Sequence, residues 1–296
     1  MDFIAGYGAT NVDLLFGGMS RIPQEGEEIY AESFSLQLGG GYPATMINLG
    51  RLGIPCKIQT FLGSDMFSEF AKKQYEAAGV KPLCLKSDVS IPVNVTSAAI
   101  TKTDRAFTSY SDCPKMTEKD METVYEASLG ARFVFVSDDL LPIYPELKRH
   151  GSILIYDTGW RDDMSEDSMQ EILKLVDYYT PNSKEAMKIT GTDTPEKAII
   201  SLSRYFDYPV VKLDKDGCMY MQNGKINIVP AVKGIHCIDT TGAGDAFLAG
   251  FVYGLYHNVP IETAVLYGNR TGAASVTQMG CLAGYLTEDE LVIGNI

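Results

Sequence analysis

The chain has 296 residues, of which 45% are hydrophobic and 21% charged, and a formal net charge of −13, as expected of a folded protein able to bury a core. That acidity argues against nucleic acid as the main partner, because phosphate backbones select basic surfaces, although local backbone amides can still hold a phosphorylated ligand. No apolar run approaches the roughly 18 residues that span a bilayer. The N-terminus, Met1-Asp2-Phe3-Ile4-Ala5-Gly6-Tyr7, has an early acid and no basic region, so no secretory leader or membrane partner is expected and a cytoplasmic setting is.

The first predicted strand, Phe3 to Gly8, is a short apolar run ending in glycine, the pattern of a buried strand feeding a functional loop. Asn11-x-Asp13 follows, read as a loop at the carboxyl end of a parallel strand, where open α/β sheets bind ligands. Asp13 is then placed to accept hydrogen bonds from two hydroxyls of a polyol; an Asx-turn that merely stabilises the loop is the competing reading. Residues 27–38 and 93–110 alternate polar and apolar side chains, unlike the centre of a parallel sheet. They predict a small β-lid made from two insertions, at about 14–38 and 93–112, on a single domain spanning 1–296.

Leu38-Gly39-Gly40-Gly41-Tyr42-Pro43-Ala44 precedes a helical stretch, Met46–Leu52, and satisfies G-x-G-x-x-A. A dinucleotide fingerprint needs a buried parallel strand before it. The alternating strand here argues instead for a glycine loop approaching a small polar ligand. Further continuous apolar strands are predicted at Lys57–Leu62, Phe133–Val136, Ile153–Tyr156 and Val210–Leu213. Helices are predicted at Met66–Ala78, Glu118–Ala127, Ser165–Val176 and Ser183–Thr190. This alternation gives an α/β fold, a mostly parallel sheet covered on both faces.

In Thr180-Pro181-Asn182-Ser183-Lys184-Glu185, Pro181 ends a strand and Asn182 or Ser183 caps the next helix. The functional alternative sets Asn182 and Glu185 beside a hydrated Mg2+ and nucleotide phosphates. No G-x-x-x-x-G-K-[ST] occurs, which excludes a P-loop kinase. Asn223-Gly224 predicts a type I′ hairpin. Six scattered cysteines without Cys-x-x-Cys, and three histidines, suggest neither a zinc site nor a disulfide framework.

The last motif is Asp239-Thr240-Thr241-Gly242-Ala243-Gly244-Asp245, followed by a helix-length apolar run from Ala246 to Leu255. The amides of Gly242, Ala243 and Gly244 are thereby expected at a helix N-terminus, where the macrodipole favours an anion. Asp245 beside such a turn suits a base that takes a proton from an attacking hydroxyl. A carboxylate that only complements the helix dipole is an equal reading on spacing alone.

These segments, in this order and over nearly the whole chain, resemble the ribokinase-like (PfkB) carbohydrate kinase family. The likeness rests on Asn11-x-Asp13, Gly39–Gly53, Phe61-Leu62-Gly63-Ser64-Asp65 with Phe67, Pro181-Asn182-x-x-Glu185 and Asp239–Asp245. It implies a three-layer α/β/α sandwich with a β-lid, transferring the γ-phosphoryl group of ATP to a hydroxyl of a sugar or sugar derivative. By the same resemblance Asp245 is the base, with Gly242, Ala243 and Gly244 as anion hole. Asn11, Asp13, Gly40, Gly41, Thr45 and Arg161 fall to the substrate, and Asn182, Glu185, Lys212, Asp214, Gly217 and Asn269 to the nucleotide and Mg2+. Members often bind a monovalent cation such as K+, for which Asp239, Thr241 and Gly280 are the candidates, and members frequently dimerise through their lids.

The chain departs from the family at the substrate end. Ala44 and Thr45 stand where an Asn is usual, and Gly159 replaces the Asn of a D-x-N-x-R pattern at Asp157-x-x-Trp160-Arg161. Lys212-Leu213-Asp214 replaces Thr-x-Gly; Lys212 either contacts a phosphate or pairs with Asp214 at the surface. A nucleoside kinase on the same fold is the second reading, motivated by Tyr30, Phe34, Tyr42, Phe107 and Tyr110 near the lid. A catalytically silent ligand-binding regulator is the third, and the intact Asp245 motif counts against it.

Overall fold

The computed structural model describes residues 2–112 and 114–294. The chain runs β1 (Ile4–Tyr7), β2 (Asn11–Met19), β3 (Ser33–Leu38), α1 (Tyr42–Arg51), β4 (Cys56–Phe61), α2 (Met66–Ala77) and β5 (Val80–Leu85). A strand pair β6 (Asn94–Thr101) and β7 (Arg105–Tyr110) follows, then α3 (Glu118–Ser128), β8 (Phe133–Phe135), α4 (Tyr144–Arg149), β9 (Ile153–Tyr156), α5 (Glu166–Leu175), β10 (Tyr178–Tyr179) and α6 (Ser183–Thr190). Last come α7 (Pro195–Leu202), β11 (Val210–Lys212), β12 (Cys218–Gln222), β13 (Lys225–Val229), α8 (Ala243–Tyr256), α9 (Ile261–Ser275) and α10 (Glu288–Ile293).

Six strands form a parallel sheet in the order β10-β9-β8-β1-β4-β5. Both faces are covered, which is why these strands are nearly continuous apolar runs. Ile4 packs into a cluster with residues of α1, α2, α8, α9 and α10, whereas its neighbour Ala5 packs into a second cluster with α3 to α7. Alternate residues of one strand thus feed two cores, and the architecture is the three-layer α/β/α sandwich that was expected. The Lys212 amide donates to the Pro181 carbonyl at 2.9 Å, which lays the antiparallel sheet β11-β12-β13 beside the end of β10. Asn223 and Gly224 both have positive φ, 52° and 73°, as the predicted I′ turn between β12 and β13 requires. Asp65 caps α2, its carboxylate accepting from the amides of Phe67 and Ser68 at 3.0 Å.

The alternating segments build a separate four-stranded sheet, β3-β2-β6-β7, in which β2 runs parallel to β6 and antiparallel to β3. Two expectations need correction. Residues 27–32 carry no strand, the chain being a turn and loop until Ser33. Asn11 and Asp13 do not lie in a loop but begin β2, so their backbone groups are held by sheet hydrogen bonds rather than an Asx-turn. The strand before Gly39 is antiparallel to its neighbour, which removes the dinucleotide reading of the glycine loop.

Register assigns the two faces of this outer sheet, because paired residues point the same way. Asp13, Gln37, Thr96 and Ser109 share one face with Leu15, Ala98, Phe107 and Arg105; Leu14, Phe16, Phe34, Leu36 and Tyr110 share the other. The first face turns toward the main sheet: Gln37 donates to the Met279 carbonyl at 3.0 Å and Arg105 reaches Asp239. Among the described residues no helix is long and apolar enough to cross a membrane, and the five described cysteines are free.

Candidate active site

Tyr7 and Gly8 at the end of β1, Val136 and Ser137 after β8, Tyr156 to Thr158 at the end of β9, and Asn182 after β10 all line one cleft of about 750 Å3. These are the carboxyl ends of consecutive parallel strands beside β1, from which the sheet extends both ways, the place where open α/β sheets bind ligands. Asn11, Gly40 and Gly41 close it from one side and Gly242, Gly244 and Asp245 from another.

The carboxylate of Asp245 sits on the first turn of α8, whose N-cap is Gly242 with φ 79°. Its Oδ2 accepts from the Gly41 amide at 2.9 Å. A Cβ at Gly40 would lie 2.7 Å from the same oxygen, so only glycine lets that loop come this close. Burial pushes the Asp245 carboxyl up to about 7; the Gly41 hydrogen bond pulls the other way, and Asp157 adds to the rise. Among the expected anion-hole amides, that of Ala243 donates back to the Thr240 carbonyl at 3.3 Å, leaving Gly242 and Gly244 as the ones that line the cleft.

Lys212 is not paired with Asp214. Its ammonium bonds both oxygens of Asp157 at 3.1 and 3.3 Å, and a Cβ at Gly244 would lie 3.3 Å from it. Burial pulls the ammonium down, but the carboxylates of Asp157 and Glu185 outweigh that and hold it above the ordinary lysine range. Asp214 is exposed on a short turn after β11. Asn182 caps α6 in a reciprocal box: its side chain accepts from the Glu185 amide at 3.0 Å, and Glu185 accepts from the Asn182 amide at 2.9 Å. The capping reading therefore holds, yet both residues also line the cleft, with Glu185 raised above the usual carboxylate range by burial.

At the other end, the Asn11 side chain donates to the Gly40 carbonyl at 3.1 Å and accepts from Asn94 at 2.7 Å. Burial pushes the Asp13 carboxyl, beside Gly39, up to about 6. Thr45 does not line the cleft. It is buried, and its hydroxyl donates to the Asp245 carbonyl at 3.2 Å, bracing α1 against α8. Arg161 lines the cleft but is paired with Asp138, whose other oxygen accepts from the Tyr156 hydroxyl at 2.8 Å. Gly217 and Asn269 lie away from the cleft lining, both against the end of β13; the Asn269 amide donates to the carbonyls of Val229 and Pro230 at 2.9 and 3.2 Å. Asp239, Thr241 and Gly280 do converge: Asp239 accepts from the Thr241 amide at 3.0 Å and the Gly280 amide at 2.9 Å.

Sequence reasoning missed Asp138, Asp157 and Tyr42 as site residues. The first two had a signal, since each follows a buried strand. Tyr42 stacks on Phe135 with centroids 4.9 Å apart, and its hydroxyl donates to the Val136 carbonyl at 2.8 Å and accepts from the Asp157 amide at 3.0 Å. It ties the glycine loop to the ends of β8 and β9. Of the five aromatics behind the nucleoside reading, Tyr42 is thus a partly buried clamp, Tyr30 is 82% exposed outside any strand, and Phe34 and Tyr110 are on the far face. Only Phe107 shares the face turned to the main sheet.

The family described as pfkB family carbohydrate kinase matches residues 1–288. A ribokinase of Staphylococcus aureus (strain COL) is 25% identical over 93% of this chain and 94% of its own length. Among solved structures, Arabidopsis thaliana ribokinase complexed with ribose and ATP has a TM-score of 0.80 at 20% identity, covering 99% of this chain and 98% of that one. A putative ribokinase II from E. coli in complex with ATP and Mg2+ has a TM-score of 0.79 at 20% identity, with the same coverage.

Proposed function

The chain belongs to the pfkB family of carbohydrate kinases and is an ATP-dependent phosphotransferase with a sugar hydroxyl as acceptor; on that premise we propose that Asp245 is its base and an uncharged sugar its substrate. The observation that carries the first part is the Asp245 carboxylate itself, set in the cleft wall at the start of α8 with its Oδ2 against the Gly41 amide and raised to about 7. A base of that pKa is poised for proton transfer near neutrality.

In the proposed step the acceptor hydroxyl oxygen bonds to the γ-phosphorus of ATP while its proton passes to Asp245. The bond from phosphorus to the β,γ-bridging oxygen breaks, and ADP leaves with that oxygen. Amides of Gly242 and Gly244 and the ammonium of Lys212 meet the charge spread over the transferred group. Asp157 holds Lys212 in place from below. Mg2+, when bound with ATP, neutralises phosphate charge. Glu185 fits it as a hard carboxylate oxygen donor, and no cluster of three or more acidic, His or Cys side chains suited to a metal occurs among the described residues, consistent with an ion that keeps most of its waters.

The substrate class follows from charge. The basic side chains lining the cleft, Arg161 and Lys212, are already paired with Asp138 and Asp157. Asp139 in the cleft lining and Asp13 beside Gly39 add carboxylates that neither of these bases neutralises, which disfavours a sugar acid or a sugar phosphate. In a coupled ADP-release assay across pentoses, hexoses, sugar acids, sugar phosphates and nucleosides, an uncharged sugar is expected to give the highest kcat/KM. Preference for a sugar acid would show that Arg161 leaves Asp138 for the substrate, and preference for a nucleoside would revive the second reading.

The outer sheet is proposed to act as a lid that closes over the acceptor and excludes water. Its far face carries Phe16 with its ring tilted against that of Phe34, the latter 59% exposed, which supports a homodimer through that face. A cytoplasmic setting is proposed with ATP as co-substrate.

A further inference from the structure

We infer that the guanidinium of Arg105 takes the place of a monovalent cation at the loop leading into α8, so that the enzyme works without K+. The inference rests on the reading of residues 242–245 as the phosphoryl-binding end. The candidate ion position was Asp239, Thr241 and Gly280, and the donors there do not fit an ion. Oδ1 of Asp239 accepts from the Thr241 amide at 3.0 Å, the Thr241 hydroxyl at 2.7 Å and Arg105 Nη1 at 2.7 Å. Oδ2 accepts from the Gly280 amide at 2.9 Å. The carboxylate has about four lone-pair sites; three donors crowd the two on Oδ1 and leave that oxygen no room for an ion, while the Gly280 amide takes one on Oδ2.

The same Nη1 also donates to the Thr241 hydroxyl oxygen at 2.8 Å. A positive charge is thus already fixed between the two oxygens a cation would use. The Asp239 side chain is 12% exposed and that of Arg105 39%, so the carboxylate end of the pair is shielded while the guanidinium keeps one side to solvent. Arg105 opens β7, opposite Ile100, on the face turned to the main sheet. It also lies 5.5 Å from the centroid of the Phe107 ring on that face. Only two residues separate Asp239 from Gly242, the N-cap of α8. A side chain of the outer sheet therefore positions the loop whose amides meet the transferred group, a task a bound ion performs from solvent. Arg105 is a positioning residue and touches neither substrate.

The test uses KCl, NaCl and tetramethylammonium chloride at equal ionic strength. Wild-type turnover is expected to agree within about twofold in all three. Arg105→Ala is expected to lose about tenfold or more in tetramethylammonium, through a displaced loop, and to recover most of that in KCl. Melting without substrates gives a readout independent of turnover: KCl raises the Tm of Arg105→Ala over tetramethylammonium and leaves the wild type unmoved. Several-fold stimulation of the wild type by K+ would overturn the inference. So would an Arg105→Ala protein that melts like the wild type yet is equally slow, or equally fast, in all three salts. If no sugar is turned over in any salt, the kinase reading itself fails, while the melting comparison still decides for or against the ion replacement.

Discussion

Asp245→Asn is expected to lower kcat by about two to four orders of magnitude while ATP affinity stays nearly intact. The substitution keeps shape and an acceptor oxygen for the Gly41 amide, which donates to Asp245 Oδ2 at 2.9 Å, but removes the group that takes the hydroxyl proton. Thr45, which braces this turn, bonds the backbone carbonyl rather than the side chain, so the start of α8 should not move. Steady-state kinetics with ATP titration separates the two terms. Near-full turnover in the variant would rule out the base and return Asp245 to a helix-dipole role.

Gly242→Ala should cost about 10²–10³-fold in kcat by another route. Gly242 has φ 79°, which L side chains seldom adopt. A Cβ there would also lie 2.2 Å from Cys281 Cβ and 2.7 Å from its Cα. Cys281 is buried and its thiol bonds the Leu38 carbonyl at 3.0 Å, so the obstacle cannot swing away, and the amides of residues 242–244 must shift. Gly244→Ala is the control. Its nearest obstacle is the flexible end of Lys212 at 3.3 Å, and the loss should be far smaller. Equal losses in the two variants, at equal melting temperature, would show that the first turn of α8 does not need its observed geometry.

What could be read from the sequence was what local chemistry dictates. Continuous apolar runs such as Ile153–Tyr156 declared a sheet buried on both faces, and Asn223-Gly224 declared its turn through two positive φ angles. The Asp239–Asp245 segment placed its amides at a helix start because glycines precede an apolar run. Pairings across the fold were not readable. Lys212 finds Asp157 rather than Asp214, two residues away, because the carboxyl ends of β9 and β11, strands of two different sheets, meet in the cleft, which only the assembled fold reveals. Thr45 points at α8 and not the cleft, since the helix it sits on is packed against that one. Arg105 gave no signal: a basic residue after a hairpin turn looks solvated until the outer sheet is folded over Asp239.

Asp245 is proposed to act as a base from the wall of the cleft, and the pH dependence of kcat/KM, which reports the free enzyme, tests that role. The carboxylate is the active form, and burial raises it to about 7. Activity should therefore climb about tenfold per pH unit on the acid side, bend near 7 and level above it. The residual activity of Asp245→Asn should lack that limb. A wild-type profile already flat through about pH 5 to 8 would contradict the claim, because a base raised to about 7 is mostly protonated at the acid end of that range.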